Sequence, residues 1–235
     1  MGAEGGGPRL DVGVGYAIRV PGTWFEVDVR PATRAASAAD LVNARITDLP
    51  ELRERRADIV RLIRRQAADA WDAGAVYCAV MAEPVADGLL PACVTVSFVA
   101  GPADARSDAE DRLGPLMAPL TPRTAKNEGD PWTEVTTLEL PEAGPAARSY
   151  GVEDVEDPAT GRALRVVTMQ TFVPLRDVNR VAIVSCSSPA VEVAPALIDV
   201  FDAITGTFRL FRTADLLVGD GAVTHDPITH DAERS

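Results

Sequence analysis

Two apolar runs between residues 162 and 187 constrain this chain more than any other feature. Residues 162–173 read Arg-Ala-Leu-Arg-Val-Val-Thr-Met-Gln-Thr-Phe-Val and residues 180–187 read Arg-Val-Ala-Ile-Val-Ser-Cys-Ser. Both are rich in Val, Ile, Thr and Phe, and each is as long as a single strand. The break between them holds Pro174, Asp177 and Asn179, which is loop chemistry. The pair is expected to form an antiparallel hairpin at the centre of a sheet.

The chain around that hairpin reads as further strands with short connections. Residues 14–20 and 24–29 form two strands about a Pro21-Gly22 turn, with Phe25, Val27 and Val29 on one face. Residues 31–48 are small and polar, and a loop with at most a helical turn is expected. Residues 50–73 are the longest helix. Leu52, Ile59, Ile63 and Ala70, with neighbouring Gln66 and Ala67, fall on one side and Arg53, Arg61, Arg64 and Arg65 on the other, and Gly74 is the stop. Residues 75–83 and 89–99 suggest a hairpin about Asp87-Gly88. A shorter helix is expected over 103–113, and Pro115, Pro119 and Pro122 argue against its continuation. Strands follow at 132–140, 146–155, 162–173 and 179–187. A last helix starts at Pro189 and carries Val191, Ala194, Leu197, Ile198, Phe201 and Ile204 as an apolar stripe, before a closing segment at 207–211.

Consecutive strands with short loops argue for an antiparallel sheet with helices on its faces, the α+β class. One domain over 14–212 is expected, between a flexible Gly-rich start at 1–13 and an acidic tail at 213–235. In that tail five acids face one arginine, so disorder is the expectation.

Charge then narrows the function. The net charge is −12, which repels phosphate backbones and anionic lipid, so nucleic acid and membrane are disfavoured as partners. The start lacks the apolar core of a signal peptide and no run reaches a membrane span, so a cytoplasmic location is expected. Lys126 is the sole lysine among 23 cations, and Ala, Val and Pro abound. This is the bias of a GC-rich genome, of the actinobacterial kind, and it implies no chemistry.

Candidate catalytic groups are few. The only histidines, His225 and His230, lie in the tail inside a Thr-His-Asp repeat, with no zinc-site spacing. Cys78, Cys93 and Cys186 are odd in number and sit in apolar runs, where buried free thiols are the expectation rather than nucleophiles or a disulfide framework. Glu153, Asp154, Glu156 and Asp157 are the densest acid cluster, but strand alternation points neighbours to opposite faces and the spacing is not that of a calcium loop. Gly13-Val14-Gly15 opens like a dinucleotide fingerprint, yet the third glycine is missing and a strand follows. No cofactor or metal is expected. Trp24, Trp71 and Trp132 are weighed as interface anchors against core packing. The arginine face of 50–73 (Arg53, Arg61, Arg64 and Arg65) is the remaining candidate, a basic stripe able to dock an acidic partner. Against this stands a solvated face compensated by Glu51–Arg55 at i,i+4 and Asp58–Arg61 at i,i+3.

Residues 16–24, Tyr-Ala-Ile-Arg-Val-Pro-Gly-Thr-Trp, resemble the opening of the Mog1/PsbP-like (LpqN-like) domains, in which a strand runs into a Pro-x-x-Trp turn. Residues 188–209, from Ser188-Pro189 through Phe201-Asp-Ala-Ile-Thr-Gly-Thr-Phe208-Arg209, are similar to that family's last helix and terminal segment. The resemblance spans 14–211. It implies an antiparallel sheet between helical layers used as a binding module, since the family includes a Ran-GTPase-binding factor, an extrinsic photosystem subunit and actinobacterial lipoproteins. It transfers no binding residues. A non-catalytic cytoplasmic protein-interaction module is therefore expected, an accessory or chaperone-like factor of a secretion-related or other assembly. The alternative is a small-molecule or lipid-binding domain with its pocket between sheet and helix.

Overall fold

A computed structural model describes residues 4–6, 14–48, 50–85, 88–101, 113–127, 129–156, 161–175 and 179–212. The two runs that dominate the sequence are β8 (Ala163–Pro174) and β9 (Arg180–Ser188), paired antiparallel with Phe172 opposite Ile183 and Met169 opposite Cys186. They lie inside a seven-stranded sheet. Its other members are β3 (Phe25–Val27), β4 (Ala75–Val85), β5 (Gly88–Ala100), β6 (Trp132–Leu140) and β7 (Gly144–Glu156). The order is β3-β4-β5-β9-β8-β7-β6, and every neighbouring pair is antiparallel.

Helices cover both faces, as expected for an α+β sandwich. Strand β4 shows why its sequence is nearly all apolar: Tyr77 and Ala79 are buried on one side while Cys78, Val80 and Ala82 are buried on the other. The second side packs under α1 (Arg34–Asp48) and α2 (Arg56–Asp72), through Ala38, Val42, Ile46, Ile59, Ile63 and Ala67. The first side packs under α4 (Ala194–Gly206), whose Leu197, Phe201 and Ile204 meet Met169, Val184 and Cys186. A three-stranded sheet completes that layer: β1 (Glu4–Gly6) and β10 (Arg209–Arg212) flank β2 (Val14–Arg19). It brings Tyr16, Ile18 and Phe208 into the same core.

The structure corrects several expectations. Residues 31–48 are mostly helix: Ala38, Val42 and Ile46 recur every fourth residue and are all buried, a stripe diluted by the Ala, Ser, Asp and Arg around it. The 50–73 helix begins as a 3₁₀ turn (Pro50–Arg55) that buries Leu52, and becomes α-helical only from Arg56. Gly74 ends it at φ 77°. The Pro21 turn closes with Trp24 N–H donating to the Pro21 carbonyl at 2.9 Å, but it does not make a hairpin: β2 joins the small sheet and β3 pairs with β4. Residues 4–6 pair with β2 within a segment expected to be flexible. The helix expected at 103–113 lies outside the described residues except for Leu113, which opens the five-residue α3 (Leu113–Met117). Pro115 is tolerated there because first-turn N–H groups have no intrahelical acceptor. The last helix starts at Ala194, after a 3₁₀ turn at Val191–Val193. Asp87, Asp157, His225, His230 and the tail also lie outside the described residues.

Candidate functional site

One side of α2 closes a core and the other faces out, so its arginines must be sorted by what each touches. Two arginines of this layer tie its parts together. The Arg45 guanidinium lies over Phe25, 5.3 Å from the ring centroid, and donates to the Gly22 carbonyl at 2.5 Å. Arg56 Nε donates to Asn43 Oδ1 at 2.8 Å and ties α2 to α1. The four expected site residues differ from these. Arg61 pairs with Asp58 at 3.1 Å, with both side chains more than half exposed, and Arg65 Nε stands 3.8 Å from Asp69 Oδ2. Arg53 and Arg64 are exposed and form no ion pair with another described residue. The Glu51–Arg55 pair expected from spacing rests on a side chain outside the described set.

An exposed i,i+3 pair is worth about 0.3–0.5 kcal/mol, so Asp58 scarcely holds Arg61 back from a partner's carboxylate. Residues 34–72 carry eight arginines against seven acids, while the whole chain has net charge −12. This layer therefore stands out from an acidic background.

The other candidates occupy structural positions. Cys78, Cys93 and Cys186 are free and buried, as their apolar surroundings imply. Cys78 Sγ lies 3.8 Å from Cys93 Sγ, and this hydrogen bond together with burial pushes the Cys78 thiol well up. Burial pushes the Cys186 thiol up to about 12. Both stay protonated at neutral pH and neither is an activated nucleophile. Glu153, Asp154 and Glu156 lie in succession on β7 and do not converge. Asp154 is held across the sheet by Arg165, at 2.8 and 3.1 Å, which keeps its carboxyl below the usual range. Gly15 of the glycine pair sits in β2, where a Cβ would come 2.2 Å from the Phe211 ring, so its role is packing. Trp24 is buried, Trp71 is half-buried against the α1–α2 core, and Trp132 meets Tyr150 edge-on with centroids 6.0 Å apart. Among the described residues no three His, Cys, Asp or Glu side chains gather as a metal requires.

Two polar clusters had no sequence signal. Arg148 on β7 is only 6% exposed; its Nε donates to Thr171 Oγ1 at 3.0 Å and its Nη1 to Asp202 on α4. Its Nη2 is buried without a hydrogen-bond partner among the described residues. At the other end of the same core, Tyr77 OH donates to Glu26 Oε1 at 3.1 Å, and burial holds the Glu26 carboxyl above its usual range against that bond. A lone Arg or Glu in a strand looks the same in sequence whether it points inward or out.

No family model matches the chain, and no curated protein matches its sequence. Among solved structures the chain is similar to LpqN of Mycobacterium tuberculosis, which is involved in cell envelope biogenesis. The identity is 12% over 89% of this chain and 91% of LpqN, with a TM-score of 0.40. It is also similar to CalU16 of Micromonospora echinospora, at 11% identity over 55% of this chain and 84% of CalU16, with a TM-score of 0.22. Likenesses this distant carry no argument about site or activity, and they do not single out the Mog1/PsbP-like family.

Proposed function

We propose that the chain is a non-catalytic protein-interaction module that docks an acidic partner on the outward side of α2 and of the 3₁₀ turn before it, through Arg53, Arg61, Arg64 and Arg65. One observation carries this reading: Arg53 and Arg64 are exposed and form no ion pair with another described residue, and Arg61 is held by an exposed pair with Asp58. The raised thiols and the lack of histidine among the described residues support a non-catalytic role. The sheet–α4 interface is filled by Phe201, Ile204, Met169 and Val184, which favours docking over a ligand pocket between sheet and helix. The finer readings belong to the same proposal: a Mog1/PsbP-like module, in the cytoplasm, serving as an accessory factor of a larger assembly.

The test is capture from host extract by the tagged wild-type chain and by the R53E/R61E/R64E variant, after checking that both melt alike. A stoichiometric partner held by the wild type, lost with the variant and weakened by salt is the expected result. Reproducible substrate turnover by the pure chain, abolished by one change among the described residues, would sink the reading.

A further inference from the structure

The far edge of the large sheet, opposite α1 and α2, is β6. Its inner edge pairs with β7 along its whole length, Trp132 opposite Val152 through Leu140 opposite Gly144. Its outer edge has one partner among the described residues: Arg123 and Thr133 exchange both backbone bonds, each at 2.8 Å, in an antiparallel bridge. Thr133 therefore turns its N–H and C=O outward, and by the period of two so do Val135, Thr137 and Glu139. Among the described residues none supplies a backbone partner to these three; only the Thr137 carbonyl has a contact, Thr136 Oγ1 at 3.2 Å. Among the described residues an eighth strand is begun here and the next positions are open.

We infer that β6 accepts an extended, basic segment of another protein as an added antiparallel strand across Val135–Glu139. This surface is separate from the arginine face and does not rest on it. Backbone groups supply the pairing, and side chains select the occupant. Glu134 and Glu139 are exposed on the two faces of β6, and Glu134 accepts a hydrogen bond from Tyr150 OH. An open cleft of about 430 Å³ lies where the free edge meets the Arg123 bridge, between residues 122–125 and 132–135, with Arg123, Trp132 and Glu134 in its lining. A strand antiparallel to β6 reaches Val135 last, so the side chain near its C-terminal end enters that cleft. An aromatic ring and a carboxylate suit arginine or lysine there. The chain's own segment 213–235, with five acids and one arginine, has the wrong charge, and a second copy brings the same glutamates on a chain of −12.

The probes are capped eight-residue peptides of alternating Thr and Val with arginine at the C-terminal end, the same peptide with glutamate for arginine, and an arginine peptide N-methylated at alternate amides. Amide hydrogen exchange is followed by NMR on the full chain. The arginine peptide is expected to slow exchange at Val135, Thr137 and Glu139 at least tenfold, without effect at Thr136 and Leu138, whose amides already face β7. The methylated and glutamate peptides are expected to do nothing. Thr137→Pro removes an outward N–H at an edge position that proline tolerates, and should weaken binding at least tenfold with an unchanged melt. Glu139→Lys should weaken it as well, and does not depend on the proline being accommodated. Equal slowing by the glutamate peptide, full binding by both variants, or edge protection that grows with protein concentration alone would overturn the inference; the last outcome would make the occupant a second copy.

Discussion

Replacing Asp202 with alanine removes the carboxylate that pairs with the buried Arg148 guanidinium between sheet and helix. The Arg148 side chain is 7% exposed and that of Asp202 61% exposed, so the pair lies between a buried and a surface ion pair. Two unit charges about 4 Å apart attract by ~1 kcal/mol in water and ~4 kcal/mol at an effective dielectric constant of 20. The solvated carboxylate places this pair in between. Because alanine no longer has a side chain to order on folding, the net loss is about 2 kcal/mol, below the 3–5 kcal/mol typical of fully buried pairs. For a domain this size that corresponds to a fall in Tm of roughly 4–8 °C. Urea unfolding followed by tryptophan fluorescence reads it directly, with the midpoint lowered and the slope m unchanged. Asp202→Asn, which keeps an acceptor oxygen, should lose about half as much. A loss under about 0.5 kcal/mol for Asp202→Ala, the range of ordinary surface substitutions, would refute the idea that this carboxylate compensates a desolvated cation.

Phe201 is fully buried on α4, and Phe201→Ala should cost about 3–5 kcal/mol in the same assay. Gly151 has φ +155°, and a Cβ there would stand 2.1 Å from the Trp132 carbonyl oxygen, so Gly151→Ala should cost about 1–3 kcal/mol and speed exchange of the β6 amides. The Asp28 carboxyl is held at about 2 by hydrogen bonds from Arg30 and Thr33. A folded-state pKa below the unfolded one adds stability that is present above about pH 4 and lost as pH falls towards 2. Unfolding midpoints measured from pH 6 to 2 should therefore fall less for Asp28→Asn than for the wild type.

Strand content was legible because apolar β-branched runs broken by Pro, Asp and Gly leave few other solutions, and β8 and β9 stand beside each other near the middle of the large sheet. Pairing across long separations was not legible. Nothing local in residues 21–24 shows that β3 leaves β2 for β4, a choice made by the core under α1 and α2. The α1 helix was hidden because three buried residues in fifteen are a faint stripe beside so many small and polar ones. The arginines of α2 were legible as a face from 3.6-residue spacing, but the fastening of Arg45 and Arg56 depends on a ring and an amide brought in by tertiary packing. Arg148 could not be foreseen, since its inward orientation follows from the register of β7 between β6 and β8.

The docking claim for α2 is tested most directly by a photocrosslinking amino acid placed in turn at positions 61, 64 and 199 of the chain in its host. Arg61 and Arg64 lie on the outward side of α2, and Asp199 is exposed on α4, across the sheet. The account expects one discrete crosslinked protein from positions 61 and 64, absent from 199 and suppressed by Arg53→Glu in the same chain. No adduct from α2, or the same adduct from all three positions, would contradict it.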